Sequence, residues 1–358
     1  MQDTKTQLIS ADRLISFDDP VLVTGAAGFV GNRVVECLLK KGFRKVRCLA
    51  RPTGNIERLQ KIIADYGQEG QSEIIIGNLL SRLDCRQATK EVKVIYHLAA
   101  GTGTKSFADA FLNSVVTTRN LIEGALEHHC LKRLVNLSSF AVYTNRNKKD
   151  KNLLDESCPV EEKPGQRAEA YCFGKVKQDE LVIEYGKKKG LPYVLLRPGV
   201  VYGPGKKGIT GRAGIDTFGL FLHFGGSNPI PFTFVDNCAE AIVLAGLIPG
   251  IETEVFNIVD DGLPTSRSFL SQYKKNVKWF PSVYVPHALS YLFCSLWEKY
   301  CSWSGNQLPP VFTRAEWSAY WKKTRYSNEK LKTLLGWKPL IPTADAMQLF
   351  FDSCREKT

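Results

Sequence analysis

No two of the ten cysteines form a C-x-x-C pair, and their spacings are irregular. That absence removes the usual zinc frameworks and argues against a disulfide scaffold. Cys37 and Cys48 instead sit in apolar runs, where reduced core thiols belong. Histidine is scarce. Two of the five, His128 and His129, are adjacent and cannot share a helix face, so metal ligation has little support. No run of spanning length is present either. No uncharged stretch is longer than Trp279 to Trp297, which holds two prolines, a histidine and three serines and so argues against a membrane-crossing helix. The first twenty residues carry Asp3, Lys5, Asp12, Arg13, Asp18 and Asp19 around no apolar centre, so a signal peptide is not expected and the protein reads as cytoplasmic. Internal repeats and low-complexity segments are also missing.

The charge is plentiful but not segregated. The 358 residues carry a formal net charge of +12, with the basic residues spread along the chain. The densest group, "RNKKDK" from Arg146 to Lys151, is diluted by Asp150 and reads as a solvated loop. Without a recognised module, nucleic-acid binding is not expected. Anionic cofactors or lipid headgroups are better partners for such a charge.

Strand-like apolar runs at Val21–Thr24, Val46–Ala50, Glu73–Ile76, Val94–Leu98, Arg133–Ser138 and Tyr193–Arg197 alternate with helical periodicity. The helices are expected near Asn32–Lys41, Ile56–Tyr66, Ala108–His129 and Glu169–Lys188. This alternation predicts an α/β fold, a parallel sheet covered on both faces with a smaller mixed region over its strand ends. Residues 1–19 form a polar tail and 20–202 the nucleotide-binding domain, to which later strands within 231–262 return. Residues 203–230 and 263–358 build the substrate domain. Strands Phe232–Val235 and Val255–Ile258 stand isolated in this looser region.

The first strand runs into "TGAAGFVG", with Gly25, Gly28 and Gly31 at three-residue spacing. After a strand and before a helix, such a turn lets backbone approach a pyrophosphate at the helix N-terminus. An acidic ribose ligand is expected about 20 residues past the glycines. Arg51 stands there, and no carboxylate lies between Val46 and Gly54. A guanidinium suits a 2′-phosphate, so NADP is favoured over NAD, with Arg33 able to share the phosphate. Arg51 as a plain strand-end surface residue is the competing reading.

In "EAYCFGKVK", Tyr171 and Lys175 are four apart on an expected helix and share a face. An ammonium near a phenol favours the phenolate and fits Tyr171 for acid/base work. Upstream, "LVNLSSFAVY" ends a strand in Ser138 and Ser139, which either face the strand-end crevice or simply form a turn.

Taken in order, "TGAAGFVG", "YHLAA", "SSFAVY", "YCFGK", "LRPGVVYGPG" and "FTFVDNCAEAI" resemble the extended short-chain dehydrogenase/reductases, from about Val21 to the "YSNEKLKTLLGWKP" segment. The resemblance implies a Rossmann-type doubly wound parallel sheet with a smaller mixed α/β substrate domain, a nicotinamide cofactor and a triad of Ser139, Tyr171 and Lys175. Gly25, Ala27, Gly28, Phe29, Val30 and Gly31 would cradle the pyrophosphate. Leu98, Ala99 and Ala100 would wall the cofactor, with Arg51, Asn78 and Leu79 at its adenosine end and Pro198 and Val200 near the nicotinamide. Two positions depart from the family pattern. Ser114 stands where an asparagine is usual, with Asn113 beside it, and Asn78 replaces an aspartate.

Within that family, nucleotide-sugar epimerases and dehydratases carry an arginine where this chain has Ile230 and Pro231; Lys206, Lys207 or Arg212 would have to replace it. The pattern "RPGVVYGPG…PFTFVDN" more closely resembles the 3β-hydroxysteroid dehydrogenase and dihydroflavonol reductase branch, which implies an apolar small-molecule substrate. A non-catalytic regulatory subunit is the third possibility, opposed by the intact triad. The same resemblance implies a homodimer through the helices near Ala108–His129 and Glu169–Lys188. Segment 285–300 is apolar around most of a helix and reads first as a buried core helix, with membrane-surface contact as the alternative.

Overall fold

The structure, a computed structural model, describes residues 13–67, 71–101, 106–144, 152–167, 169–206, 208–217, 219–304 and 313–355. Strands β1 (Val21–Thr24), β2 (Val46–Ala50), β3 (Glu73–Ile76), β4 (Val94–His97) and β5 (Arg133–Leu137) alternate with five helices. These are α1 (Phe29–Lys40), α2 (Glu57–Tyr66), α3 (Arg82–Ala88), α4 (Phe107–Ala110) and α5 (Thr117–Leu126). After the short β6 (Leu153–Leu154) come α6 (Ala170–Lys189) and β7 (Tyr193–Pro198). The chain continues through β8 (Val200–Tyr202), β9 (Gly214–Thr217), β10 (Leu220–His223), β11 (Phe232–Phe234), α7 (Val235–Leu247) and β12 (Val255–Ile258). It ends with α8 (Ser266–Asn276), β13 (Ser282–Tyr284), α9 (His287–Trp303), α10 (Arg314–Tyr320), β14 (Arg325–Tyr326), α11 (Glu329–Leu335) and α12 (Thr343–Arg355).

Seven parallel strands form one sheet in the order β3-β2-β1-β4-β5-β7-β12. β1, β4, β5 and β7 are buried along their whole length, as strands covered on both faces must be. Alternate residues serve the two faces: Val21 and Val23 pack with α1 and α7, while Leu22 packs with α3, α5 and α6. The winding direction reverses between β1 and β4, and their carboxyl ends open the crevice where such folds bind ligands. Register places Thr24 opposite His97 and His97 opposite Asn136, so three polar side chains sit level at that end. A separate aromatic cluster around Tyr202, Phe232, Phe234, Phe269, Phe350 and Phe351 cores the smaller region.

Several elements differ from expectation. The helix expected over Ala108–His129 is divided: a π-helical segment, Phe111–Val116, separates α4 from α5, and α5 ends at Leu126. Thr117 and Thr118 each donate back to a carbonyl four residues earlier, Asn113 and Ser114, which loosens a helix at that point. α3 was not foreseen; it is too short for periodicity to reveal, and Ser81 caps it by accepting from Asp84 N at 3.2 Å. Val235 opens α7 rather than ending a strand, and Val255–Ile258 is the seventh strand of the main sheet rather than an isolated one. α9 is not a buried core helix. Only Ser290, Cys294 and Cys301 are buried, whereas Leu292, Phe293 and Leu296 are more than half exposed and Trp303 is 84% exposed.

Candidate active site

The candidate site runs along the carboxyl ends of the parallel strands, centred on β1, β4 and β5. Gly25 leaves β1 at φ +66°, and a Cβ there would stand 3.0 Å from Ala99 N. A Cβ on Gly31 would stand 2.1 Å from Gly25 O, so only glycine lets α1 start this close to the turn. Gly28 precedes α1 in extended conformation and offers no side-chain cap. The first-turn amides, including those of Phe29 and Val30, therefore remain as donors for an anion. Ala27 closes this turn, its carbonyl accepting from Asn32 Nδ2 at 3.0 Å. Leu98, Ala99 and Ala100 follow β4 directly opposite, and Ala99 N donates to Thr24 Oγ1 at 3.3 Å.

The two serines after β5 have different tasks. Ser138 is buried and donates to Asp179 Oδ2 at 2.8 Å, inside a cluster that includes the Arg197–Asp179 ion pair. Ser139 caps the short helical turn Phe140–Val142 by accepting from Ala141 N at 3.1 Å, and stays partly exposed. Its side chain also lies on the Tyr171 side of the strand end, where it favours the phenolate. Burial raises the phenol's pKa above its ordinary value, and the contact with Ser139 works against that rise.

Lys175 lies one turn further along α6 and is 4% exposed. Its Nζ donates to Leu137 O at 2.5 Å and to Gln178 Oε1 at 2.9 Å. Burial lowers its pKa to about 8, with the nearby Asp179 carboxylate opposing the shift. In this structure its bonded partners are therefore the β5 carbonyl and Gln178. Ser114 is buried in the π-helical segment, where its Oγ accepts from Gly101 N at 3.2 Å. Asn113 points elsewhere, onto Asp109. A Cβ on Gly174 would lie 3.2 Å from Ser114 Oγ, so α6 approaches this segment closely between Tyr171 and Lys175.

At the other end of the crevice Arg51 is exposed beyond β2 and makes no ion pair among the described residues. Asn78 is exposed and uses Oδ1 to accept from Leu80 N at 3.0 Å, which leaves its amide NH₂ as donor; Leu79 beside it is buried. Arg33 is committed to Glu36 at 2.9 Å and Asp236 at 3.2 Å. Two further cations close on the glycine turn. Gly205 brings the loop after β8 to within 3.6 Å of Arg58 Nη1 and 3.8 Å of Phe29, measured from an ideal Cβ. Lys206 Nζ stands 5.7 Å from the Phe29 ring centroid. Desolvation, then the like charge of Arg33, holds the Arg58 guanidinium below its usual range. Pro198 ends β7 buried, and Val200 N donates to Pro231 O at 2.7 Å. Lys207 lies outside the described residues.

These features fit a bound dinucleotide: a cradle that any side chain would fill, helix-start amides without a side-chain cap, and cations beside them that make no ion pair among the described residues. The family model for the NAD dependent epimerase/dehydratase family matches residues 21–258. The chain belongs to that family. This family member is an enzyme of the nicotinamide-binding, Rossmann-fold class.

Its curated relatives include a 3beta-hydroxysteroid-dehydrogenase/decarboxylase of Arabidopsis thaliana, 24% identical, with 93% of this chain and 79% of that protein covered. A sterol-4-alpha-carboxylate 3-dehydrogenase, decarboxylating, of Mus musculus is also 24% identical, over 91% of this chain and 88% of that one. Cinnamoyl-CoA reductase 1 of Petunia hybrida is 28% identical over 51% of this chain, and the match spans only 55% of the reductase. Among solved structures, UDP-glucuronic acid 4-epimerase from Bacillus cereus with UDP-glucuronic acid and NAD superposes with a TM-score of 0.70. Identity there is 22%, covering 95% of this chain and 100% of that one, a likeness of fold alone.

Sequence reasoning did not find Thr24, His97, Thr118, Gln178, Arg58 or Asp179. Thr24 and His97 stand inside "TGAAGFVG" and "YHLAA", where neither was given a role, and the other four lie outside the quoted motifs. Only the register of β1 against β4 and the packing of α5 on α6 bring the first four together, whereas Arg58 follows Arg51 by seven residues and could have been considered with it.

Proposed function

We propose that this enzyme transfers a hydride between NADP(H) and a secondary alcohol or ketone on an apolar, steroid-like substrate, with Ser139, Tyr171 and Lys175 as its triad. The substrate class is carried by Ile230 and Pro231. Both are buried, and Ile230 packs with Tyr202, Phe232 and Phe269, so the place of the diphosphate-binding arginine is uncharged core. Relatives named for sterol and hydroxysteroid chemistry along more than nine-tenths of this chain agree with that reading.

A bound nicotinamide supplies the hydride donor or acceptor; the chain's own groups handle the proton and the geometry. Ser139 hydrogen-bonds the reacting oxygen and orients it toward Tyr171. Tyr171 gives its proton to that oxygen in reduction and takes it in oxidation. Of the three N–H donors of Lys175, two are used by Leu137 and Gln178, which leaves the third for a ribose hydroxyl. NADP(H) is favoured because Arg51 and Arg58 are cations without a carboxylate partner among the described residues at the expected 2′-phosphate end.

The α9 surface extends the reading. Leu289, Leu292, Phe293, Leu296, Tyr300 and Trp303 form an exposed stripe along one side of the helix, continued by Val283 and Tyr284 of β13. Lys274 borders it at Trp279 and Phe280, and Arg267 lies over Tyr284 at 5.3 Å. No described helix is long and apolar enough to cross a membrane. An apolar stripe rimmed by cations on a chain of net charge +12 suits an anionic lipid surface, on which an apolar substrate would reside.

One observation favours the competing nucleotide-sugar reading. Arg212 has no carboxylate partner among the described residues; it donates to Ala319 O and Tyr326 OH and lies over the Tyr320 ring, and Tyr320 OH donates to Glu169. The two readings separate on thermal stabilisation of the NADP-loaded protein. A 3β-hydroxysteroid should raise Tm and UDP-sugars should not; stabilisation by UDP-sugars that is lost in Arg212→Gln overturns the apolar assignment.

A further inference from the structure

We infer that Gln178 is a positioning residue for Lys175, itself fixed by a buried hydrogen-bond chain through Thr118 and His97 to Thr24 at the edge of the glycine turn. The inference rests on the role given to Tyr171 and Lys175 above.

The chain is continuous. Lys175 Nζ donates to Gln178 Oε1 at 2.9 Å, and Gln178 Nε2 donates to Thr118 Oγ1 at 2.8 Å. Thr118 Oγ1 lies 2.8 Å from His97 Nε2, and His97 Nδ1 lies 2.7 Å from Thr24 Oγ1. Thr24 Oγ1 accepts from Ala99 N at 3.3 Å. Thr24, His97, Thr118 and Gln178 are all fully buried.

The direction of every bond follows from one fact. The Thr118 hydroxyl proton is committed to Ser114 O at 2.5 Å, so both Gln178 Nε2 and His97 Nε2 must donate to its oxygen. His97 is then the neutral Nε2–H tautomer, and its bare Nδ1 takes the Thr24 hydroxyl proton. Burial, with Lys175 as a neighbouring like charge, lowers the His97 pKa to about 3, so the neutral form persists across the working range. The Gln178 amide cannot flip without placing its carbonyl against an oxygen that has no proton to give. Its Oε1 is therefore held toward Lys175.

Two consequences follow. The same network pins Ala99, which touches Gly25, and the lysine, so the pyrophosphate cradle and the triad share one rigid frame. It also leads to a backbone amide rather than to solvent, which makes it a positioning device and not a proton conduit. The groups facing Lys175 are His97 from β4, Asp179 from α6, and Arg197 from β7 through its ion pair with Asp179. Gln178 is uncharged and bonds Nζ directly, so a charge introduced there acts on the lysine without an intermediary.

The test compares Gln178→Glu and Gln178→Met. A carboxylate beside Nζ favours the ammonium; a thioether removes an acceptor from it. In the cofactor-free protein, the folded-state lysine pKa of about 8 lies below its ordinary 10.5. Between those values the unfolded chain binds the extra proton, so this group makes stability rise with pH. Urea unfolding at the two ends of that window, referenced to Lys175→Met, should show a smaller rise in Gln178→Glu and a larger one in Gln178→Met. The pH profile of turnover should move alkaline in the first variant and acid in the second, and kcat in Gln178→Met should fall about tenfold or more, as for one lost hydrogen bond to a charged group. If Gln178→Met does not fold, Thr118→Val replaces it, with Thr118→Ser restoring the wild-type profile. Identical pH-dependent stability in wild type and Gln178→Glu overturns the inference whatever the activity. Full turnover in Tyr171→Phe would instead mean that the triad reading had failed.

Discussion

Tyr171 is a phenol that burial pushes toward the protonated form, with Ser139 as the neighbour that draws it back. As a proton donor it is ready at neutral pH; as a base it must first be ionised. In the oxidative direction kcat/KM should therefore rise with pH through the alkaline range, a limb absent from Tyr171→Phe. That variant should keep its fold and cofactor affinity while losing roughly 10²–10⁴-fold in kcat, the usual worth of positioned proton transfer. Initial rates across pH check both statements. At the other end of the crevice the proposed 2′-phosphate grip would use two arginines, Arg51 and Arg58, rather than one. NADP(H) should bind about one to two decades more tightly than NAD(H), the equivalent of a charge-assisted contact. Arg51→Asp should narrow that difference, and adding Arg58→Asp should reverse it, read by calorimetric titration. Equal affinities in the wild type would leave both guanidiniums as surface groups.

The proposed triad and the glycine turn could be nominated from sequence at this scale because each is a local pattern: Tyr171 and Lys175 are four apart on one helix, and Gly25 and Gly31 mark one turn. Gln178, Thr118 and His97 were not, since they meet only when β4, α5 and α6 pack together. Ser138 and Ser139 illustrate the limit. Adjacent and alike in sequence, they separate only when the strand end turns one toward Asp179 and the other toward Tyr171.

Among the elements, the central strands were readable because continuous apolar runs have few alternatives once helices alternate with them. The expected Ala108–His129 helix was located but not its interruption, which arises from threonine back-bonding at Thr117 and Thr118. α9 shows the opposite failure. Its composition suits a core helix, yet composition cannot say whether a neighbour covers the apolar side, and the structure leaves that side open. Co-flotation with vesicles should show binding that requires anionic lipid and weakens at high salt. Leu292→Glu with Phe293→Glu should abolish it without lowering Tm, because both side chains are already more than half exposed. Equal binding to neutral and anionic vesicles, or none, would contradict the assignment.

At the scale of the whole molecule, one parallel sheet carries the glycine turn, the proposed triad and the proposed phosphate end along its carboxyl edge. α4, the π-helical segment and α6 stand beside it, exposing Phe107, Phe111 and Leu112. We propose that a second copy covers this face in a two-fold homodimer, the commonest symmetric arrangement. Light scattering at micromolar concentration should give twice the 40.1 kDa chain mass, and Phe111→Glu with Leu112→Glu should return it to one. A monomeric wild type would refute the pairing. The central claim is hydride transfer at an apolar alcohol through Tyr171. It is tested most directly by following the absorbance of reduced nicotinamide after a 3β-hydroxysteroid is mixed with the NADP⁺-loaded protein. Reduced cofactor should accumulate in the wild type, not in Tyr171→Phe, and not when a UDP-sugar replaces the steroid. No signal with the steroid, or an equal signal in Tyr171→Phe, would contradict the account.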